Sequence, residues 1–166
     1  MEIVENSVVK FTLPTELVPN VINYIEKSEV LETNGNTSEV AVYWGLDEMT
    51  HLARTLSFND YLPSPIVRDY DWPGMFKPFD HQRITSAFLS LHPRAFCFNE
   101  AGTGKTSAAI WAADYLMNQE KVKRVLVICP LSIMQSAWQA DLFKFAVHRH
   151  VNVAHGDRKK RKAIIA

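Results

Sequence analysis

The chain has 166 residues, enough for one ordinary domain or one domain with a small appendage, and 47% of them are hydrophobic, which supports a packed core. Equal numbers of basic and acidic residues, 18 of each, give a net charge of zero. No uncharged apolar run reaches the length of a membrane span, and residues 1–5 are acidic where a signal peptide is basic. These features exclude a membrane partner and predict a soluble, cytoplasmic protein.

The zero net charge hides an asymmetry along the chain. Through Trp72 there are 4 basic and 12 acidic residues, a charge of −8, whereas from Pro73 onward there are 14 basic and 6 acidic residues, a charge of +8. Such a split indicates that the second part faces a polyanion. The alternative is that both parts present solvated faces of mixed sign.

The two cysteines, Cys97 and Cys129, both lie in apolar runs, where a free thiol behaves as a small hydrophobic side chain. Neither has a Cys or His partner at the spacing of metal ligands. We therefore expect neither a disulfide nor a cysteine metal site.

Residues 1–58 predict a small acidic β-α-β-α domain, which is marginal in size for independent stability. Its predicted elements are a strand at 8–13, a helix with Thr15 as N-cap, a break at 34–36, a strand at 40–44 and a helix at 47–56. No chemical motif falls in this domain, and Trp44 and His51 are interpreted as packing residues.

Residues 59–78 predict an irregular connector, because prolines and a glycine recur among aromatic residues. We place the domain boundary there. The aromatic side chains of Tyr70, Trp72 and Phe76 are expected to pin the connector to the domain that follows.

Residues 79–166 predict an α/β domain with a doubly wound parallel sheet and right-handed crossovers, because strand and helix patterns alternate. The expected order is helix 79–91, strand 95–98, helix 106–118, strand 122–129, helix 132–145, strand 151–154 and a helix from Asp157. The run at 122–129 is continuously apolar, as is typical of a strand buried on both faces of a parallel sheet.

A glycine-rich loop joins the strand at 95–98 to the helix that follows it. Gly102 and Gly104 allow the backbone to close around phosphates, Lys105 supplies a charge for the β- and γ-phosphates, and the Thr106 hydroxyl is placed to ligate Mg²⁺. The strict pattern has a further glycine where Asn99 stands, so the loop is a variant. An ordinary loop with this sequence by chance is the alternative.

Three other features are candidates for binding. The Gln82 amide matches the N6 and N7 edge of adenine, although a surface helix residue would look the same. The tripeptide Pro130-Leu131-Ser132 follows a predicted strand, where exposed N–H groups and a hydroxyl can hold a nucleic-acid phosphate, unless Ser132 is only a helix N-cap. The five adjacent cations at 158–162 need a polyanion or solvent.

Together these features resemble superfamily-two helicases, in particular the Swi/Snf-type translocases and their phage-encoded relatives. The resemblance runs from about Trp72 to the end, and residues 1–58 match nothing that we can name. The matching segments are Gln82 for the Q motif, Glu100-Ala101-Gly102-Thr103-Gly104-Lys105-Thr106 for motif I, 127–132 with Trp138 and Asp141 for motif Ia, and 155–156 with Arg158 and Arg161 for the next segment.

This resemblance implies a RecA-like first motor domain that binds ATP and Mg²⁺, with catalytic roles for Lys105 and Thr106. It also implies contact with the DNA backbone through Pro130, Leu131 and Ser132 and through Arg158, Lys159, Lys160 and Arg161. The cell would be bacterial or phage-infected, and the remainder of the helicase motor would be a partner.

The sequence departs from the family in containing no Asp-Glu-x-His acidic motif and no second motor domain to supply an arginine finger. We therefore expect the N-terminal part of a helicase, incapable of sustained hydrolysis by itself. A stand-alone nucleotide- or DNA-binding decoy or regulatory module is the alternative. A small P-loop kinase would need its acidic residue within the chain, and motif Ia with Trp138 argues against it.

Overall fold

The computed structural model describes residues 1–56 and 61–165, which divide into two compact units. The first unit comprises Met1–Tyr70 with Ala87–Ala95, and the second comprises Asp71–Ser86 with Phe96–Ala166. The predicted boundary between residues 58 and 59 lies outside the described residues, so the domain limits 1–58, 59–78 and 79–166 remain predictions.

The first unit contains a four-stranded antiparallel sheet in the order β1-β2-β4-β3. The strands are β1 (Glu2–Val4), β2 (Val8–Pro14), β3 (Ser28–Asn34) and β4 (Thr37–Tyr43). The predicted strands at 8–13 and 40–44 are confirmed as β2 and β4. Alternate residues of both strands, such as Val9, Phe11 and Val40, are buried because one face of the sheet covers the core.

The helices of the first unit are a 3₁₀ turn (Thr15–Leu17), α1 (Pro19–Ile22), α2 (Leu46–Thr55) and α3 (Ile66–Asp69). The helix predicted at 47–56 is confirmed as α2. The prediction of Thr15 as an N-cap is wrong, because its hydroxyl lies 3.0 Å from the Ser38 hydroxyl and makes no capping bond. Pro19 separates the 3₁₀ turn from α1, since proline has no N–H to continue a helix.

Trp44 has the packing role that the sequence predicts. Its ring is buried, its Nε1–H donates to the Pro63 carbonyl at 3.0 Å, and the Arg68 guanidinium lies 4.8 Å above the ring centroid. The same guanidinium donates to the Trp44 carbonyl and pairs with Asp69. Trp44 thereby fixes the segment that leads into α3.

The second unit is mainly helical in its described part. Its elements are α4 (Asp80–Leu91, whose last turn belongs to the first unit), α5 (Lys105–Asn118), a 3₁₀ turn (Leu131–Ile133), a π-helical segment (Met134–Gln139), α6 (Ala140–Phe145) and α7 (Arg158–Ile165). The predicted helices at 79–91, 106–118 and 157 onward are confirmed. The helix predicted at 132–145 consists of three successive helical segments. Ser132 lies inside the first of them and makes no capping bond, so its prediction as an N-cap is wrong.

The structure describes no strand between residues 61 and 165, so the strands predicted at 95–98, 122–129 and 151–154 are not confirmed. Apolar side chains of two of these runs are exposed to solvent instead: Phe96, Phe98 and Ile128 are 82%, 89% and 90% exposed. In a doubly wound sheet, strands that pair are often not consecutive in sequence, so these three runs need not be one another's partners. The fold is mixed α/β with an antiparallel sheet, and the parallel RecA-like sheet remains a prediction.

The core of the second unit forms where residues 71–76 pack on α5 and α6. Trp111 is fully buried, donates from Nε1 to the Pro73 carbonyl at 3.1 Å and meets the Trp72 and Phe145 rings edge-on at 5.8 and 5.0 Å. Gly74 has a φ of +114°, and a Cβ there would lie 2.3 Å from the Lys144 carbonyl oxygen, so only glycine permits this approach.

This packing tests the expectation that aromatic residues of the connector at 59–78 pack on the domain that follows it. Trp72 packs on Trp111, and the Phe76 ring lies 6.2 Å from that of Phe145, which confirms the expectation for these two residues. Tyr70 is buried in the first unit, and for Tyr70 the expectation remains a prediction.

A buried acid joins α5 to the turn after α6. The Asp114 carboxylate, 1% exposed, accepts a hydrogen bond from the Arg149 guanidinium and lies 2.9 Å from His148 Nε2. Arg149 also donates to the Asn118 side chain. A buried carboxylate is tolerated only when it is paired in this way, so the cluster fixes the position of residues 148–149 against α5.

Candidate phosphate-binding site

The glycine loop leads directly into the N-terminus of α5, as the sequence predicts. Gly102 and Gly104 have φ values of +81° and +74°, which glycine adopts without strain. Within the described residues, the backbone N–H groups of Gly102 and of Gly104 to Ser107 have no acceptor in the chain. The loop therefore presents several free donors at the positive end of a 14-residue helix, the arrangement that binds phosphate.

Lys105 and Thr106 occupy the first turn of α5. The Lys105 ammonium donates to the carbonyl oxygens of Asn99 and Glu100, at 2.9 and 2.7 Å, so its charge is held over the loop. The Thr103 hydroxyl donates to the same Glu100 carbonyl oxygen at 2.8 Å, so both side chains bridge the loop.

Asn99, the departure from the strict glycine pattern, has a structural role. Its side-chain amide donates to the Thr85 hydroxyl of α4 at 2.9 Å. A glycine at this position has no such group, so the variant residue ties the start of the loop to α4. No pattern in the sequence indicates this contact, because Thr85 belongs to no motif.

Gln82 is buried beneath the loop. Its Oε1 accepts from the Phe79 N–H at 2.9 Å, and its Nε2 donates to the Ser107 hydroxyl at 3.2 Å and to the Thr103 carbonyl at 3.4 Å. A Cβ on Gly104 would lie 2.0 Å from that Nε2, so the loop and the amide are closely packed. The surface-residue alternative for Gln82 is wrong, and its contact with adenine remains a prediction.

A cavity of about 370 Å³ opens beside the loop, within the second unit. The loop and helix residues Gly102, Gly104, Lys105 and Thr106 line it together with Gln82, Ser107, Asp141 and Phe145. Asp141 is thus a neighbour of the loop, although sequence reasoning placed it only on the motif Ia helix. Its carboxylate pairs with Lys144 at 3.1 Å.

A larger cleft of about 560 Å³ lies in the first unit, lined by Ala53, Arg54, Leu91, His92, Pro93 and Arg94. Of its basic side chains, Arg54 lies in the last turn of α2, where it complements the negative end of the helix dipole, and Arg94 follows the end of α4. The smaller cavity is the better candidate site, because the two loop glycines, Lys105 and Thr106 line it at the N-terminus of α5.

The candidate nucleic-acid residues lie on two other elements of the second unit. Pro130, Leu131 and Ser132 are exposed around the 3₁₀ turn. Arg158, Lys159, Lys160, Arg161 and Lys162 are all exposed on α7, and they form no ion pair within the described residues. The Asp157 side chain caps α7 by accepting from the Lys160 N–H at 2.8 Å.

The described residues contain no cluster of three His, Cys, Asp or Glu side chains that would hold a metal ion. No helix among them is long and apolar enough to cross a membrane. Both cysteines are free and half-buried.

The described residues combine a mixed α/β architecture with a glycine loop that leads into the N-terminus of a helix. The family model of the SNF2-related domain matches residues 44–165, more than two thirds of the sequence, and the chain belongs to that family. Domains of this family are ATP-dependent and act on DNA. Searches of curated proteins and of solved structures gave no match.

The family match extends further than the sequence resemblance did. It begins at Trp44 and includes α2, whereas the resemblance began near Trp72. The family therefore includes residues 44–58, for which the sequence resemblance named no match.

Proposed function

We propose that the chain is the ATP-binding part of an ATP-dependent DNA helicase or translocase. The observation that carries this proposal is the loop Glu100–Thr106, whose free N–H groups and Lys105 ammonium converge at the N-terminus of α5 in a chain of the SNF2-related family. The donor set suits a nucleotide's phosphates, because each backbone N–H offers one hydrogen bond and Lys105 adds a full charge.

In the proposed complex, each residue of the loop has a defined role. The N–H groups of Gly102 to Thr106 donate to phosphate oxygens, and Lys105 exchanges its two carbonyl partners for the β- and γ-phosphates. The Thr106 hydroxyl would hold Mg²⁺, which would neutralise charge on the phosphates. Glu100 and Ala101 shape the start of the loop.

The proposal is limited to binding, because hydrolysis also needs an acid that positions water. No Asp-Glu-x-His sequence occurs in the 166 residues, and Asp141, the carboxylate beside the loop, is paired with Lys144. We therefore propose ATP binding without sustained turnover by this chain, with the remaining catalytic groups supplied by the rest of a helicase motor.

The proposed role of Gln82 is tested by nucleotide competition. We expect ATP to displace a fluorescent ATP analogue at lower concentration than GTP does, because a glutamine amide matches the edge of adenine. Gln82→Ala should remove this preference and weaken both nucleotides, since the amide also supports Thr103 and Ser107. Gln139→Ala, outside the cavity, is the control. Equal competition by GTP and ATP against the wild type would contradict adenine recognition.

The second part of the proposal is that the DNA backbone binds at 130–132 and along α7. The support is charge: the residues from Pro73 onward carry +8, and the five cations of α7 are exposed. Phosphate contacts of this kind give affinity without reading sequence.

Salt dependence tests the α7 contact. If all five cations meet phosphates, log affinity for duplex DNA should fall against log salt with a slope of about −4.5, from about −0.9 per contact. Lys159→Gln with Lys160→Gln should reduce the slope by about 1.8, whereas Lys10→Gln with Lys27→Gln should leave it unchanged. Fluorescence anisotropy at several salt concentrations measures both. An unchanged slope in the first pair would contradict the contact.

A further inference from the structure

The first turn of α4 reaches the phosphate loop through a residue that no motif includes. His81 Nε2 lies 3.0 Å from the Thr103 carbonyl oxygen. The His81 ring stacks on Phe79, with centroids 5.7 Å apart and planes 14° apart, so its orientation is fixed by a neighbour. Because a carbonyl only accepts, Nε2 must carry the proton in this contact.

Thr103 O is held from one side by two side chains. The Gln82 amide donates to the same oxygen at 3.4 Å, so residues 81 and 82 converge on one carbonyl of the loop. His81 makes the shorter of the two contacts, and it does so from the exposed side of the helix.

Holding this carbonyl fixes the direction of the next N–H. The Thr103 carbonyl and the Gly104 N–H belong to one planar trans peptide, so they point in opposite directions. When Thr103 O points toward α4, the Gly104 N–H must point away from α4. That N–H has no acceptor among the described residues.

We propose that His81 is a positioning residue of the phosphate site, which orients the Thr103–Gly104 peptide so that the Gly104 N–H is ready to donate to a phosphate oxygen. The proposal rests on the proposed function of the loop. Without the His81 contact, the peptide plane rotates more freely, because glycine at 104 imposes little restriction of its own. Phosphate binding then has to restrict that rotation, which lowers affinity.

The test compares His81→Phe, which keeps a ring to stack on Phe79 and removes the donor, with His81→Gln, which restores a donor of similar reach. We expect His81→Phe to weaken both Mg-ATP and inorganic tripolyphosphate by about 3- to 10-fold, the effect of one neutral hydrogen bond. His81→Gln should recover most of the affinity. His92→Phe is the matched control, because His92 bonds only the Phe88 carbonyl near the other end of α4.

A second measurement reports on the peptide itself. In NMR spectra of the free protein, the Gly104 amide resonance should move in His81→Phe and return in His81→Gln, with the melting temperature unchanged. An unmoved Gly104 amide and wild-type affinity in His81→Phe would overturn this inference and leave the proposed function standing. Loss that His81→Gln does not restore would also overturn it. A wild-type chain that binds neither Mg-ATP nor tripolyphosphate would overturn the proposed function, and this inference with it.

Discussion

Alanine in place of Lys105 is expected to weaken Mg-ATP binding by about 10- to 100-fold, the effect of losing charge-assisted hydrogen bonds to phosphate. The ammonium is a full positive charge that the structure places over the loop, where it lies on the carbonyl oxygens of Asn99 and Glu100. Isothermal titration calorimetry measures the change directly.

The matched control is Lys123→Ala, which removes the same charge from an exposed position just beyond α5. A helix of 14 residues is about 20 Å long, so Lys123 lies far from the loop end of α5. Circular dichroism verifies that both variants fold. Equal affinity in Lys105→Ala and the wild type would remove Lys105 from the proposed site.

Trp111→Ala is expected to lower the free energy of unfolding by about 3–5 kcal/mol, the range for truncating a buried aromatic side chain. Trp111 is fully buried between Trp72 and Phe145, and its N–H is bonded to the Pro73 carbonyl. Its loss opens a cavity and leaves the half-buried Pro73 carbonyl without its donor. Urea unfolding followed by circular dichroism measures the change.

Two further variants separate the contributions to that loss. Trp111→Phe keeps most of the ring volume and should cost less than Trp111→Ala, with the remaining cost due to the Pro73 hydrogen bond. Trp138→Ala removes a half-buried tryptophan of the same unit and should cost clearly less than Trp111→Ala. Similar losses for Trp111→Ala and Trp138→Ala would contradict the central position of Trp111 in the core.

The elements that the sequence predicted correctly are those with strong periodicity and clear ends. The helices α2 and α4 carry apolar residues at helical spacing, and β2 and β4 alternate between buried and less buried positions. β3 was missed because all but the first of its residues are exposed, so it has no alternation to detect. It is held by pairing with β4, which depends on tertiary contact rather than on its own pattern.

The strands predicted in the apolar runs at 95–98, 122–129 and 151–154 are not confirmed by the structure. Composition favours strands there, but a parallel strand needs main-chain partners in register, and partner choice is not encoded in a run of Val, Leu and Ile. The N-cap prediction for Thr15 was wrong because of a contact that is also distant in sequence. The Thr15 hydroxyl bonds the Ser38 hydroxyl of β4 instead of a helix N–H.

The loop was predictable because its residues are adjacent in sequence and its glycines adopt the positive φ that the motif requires. Its supports were not predictable. The contacts from His81 to Thr103, from Asn99 to Thr85 and from Gln82 to Ser107 join residues that are 22, 14 and 25 positions apart. Only the packing of α4 against the loop brings these groups together.

The central claim, that the loop at 100–106 binds a nucleotide's phosphates, is tested most directly by following backbone amide resonances during a titration with Mg-ATP. The account predicts that the amides from Gly102 to Thr106 shift most and saturate together, because their N–H groups acquire phosphate acceptors. Unchanged amides in this segment at saturating Mg-ATP, or the largest shifts elsewhere in the chain, would contradict it.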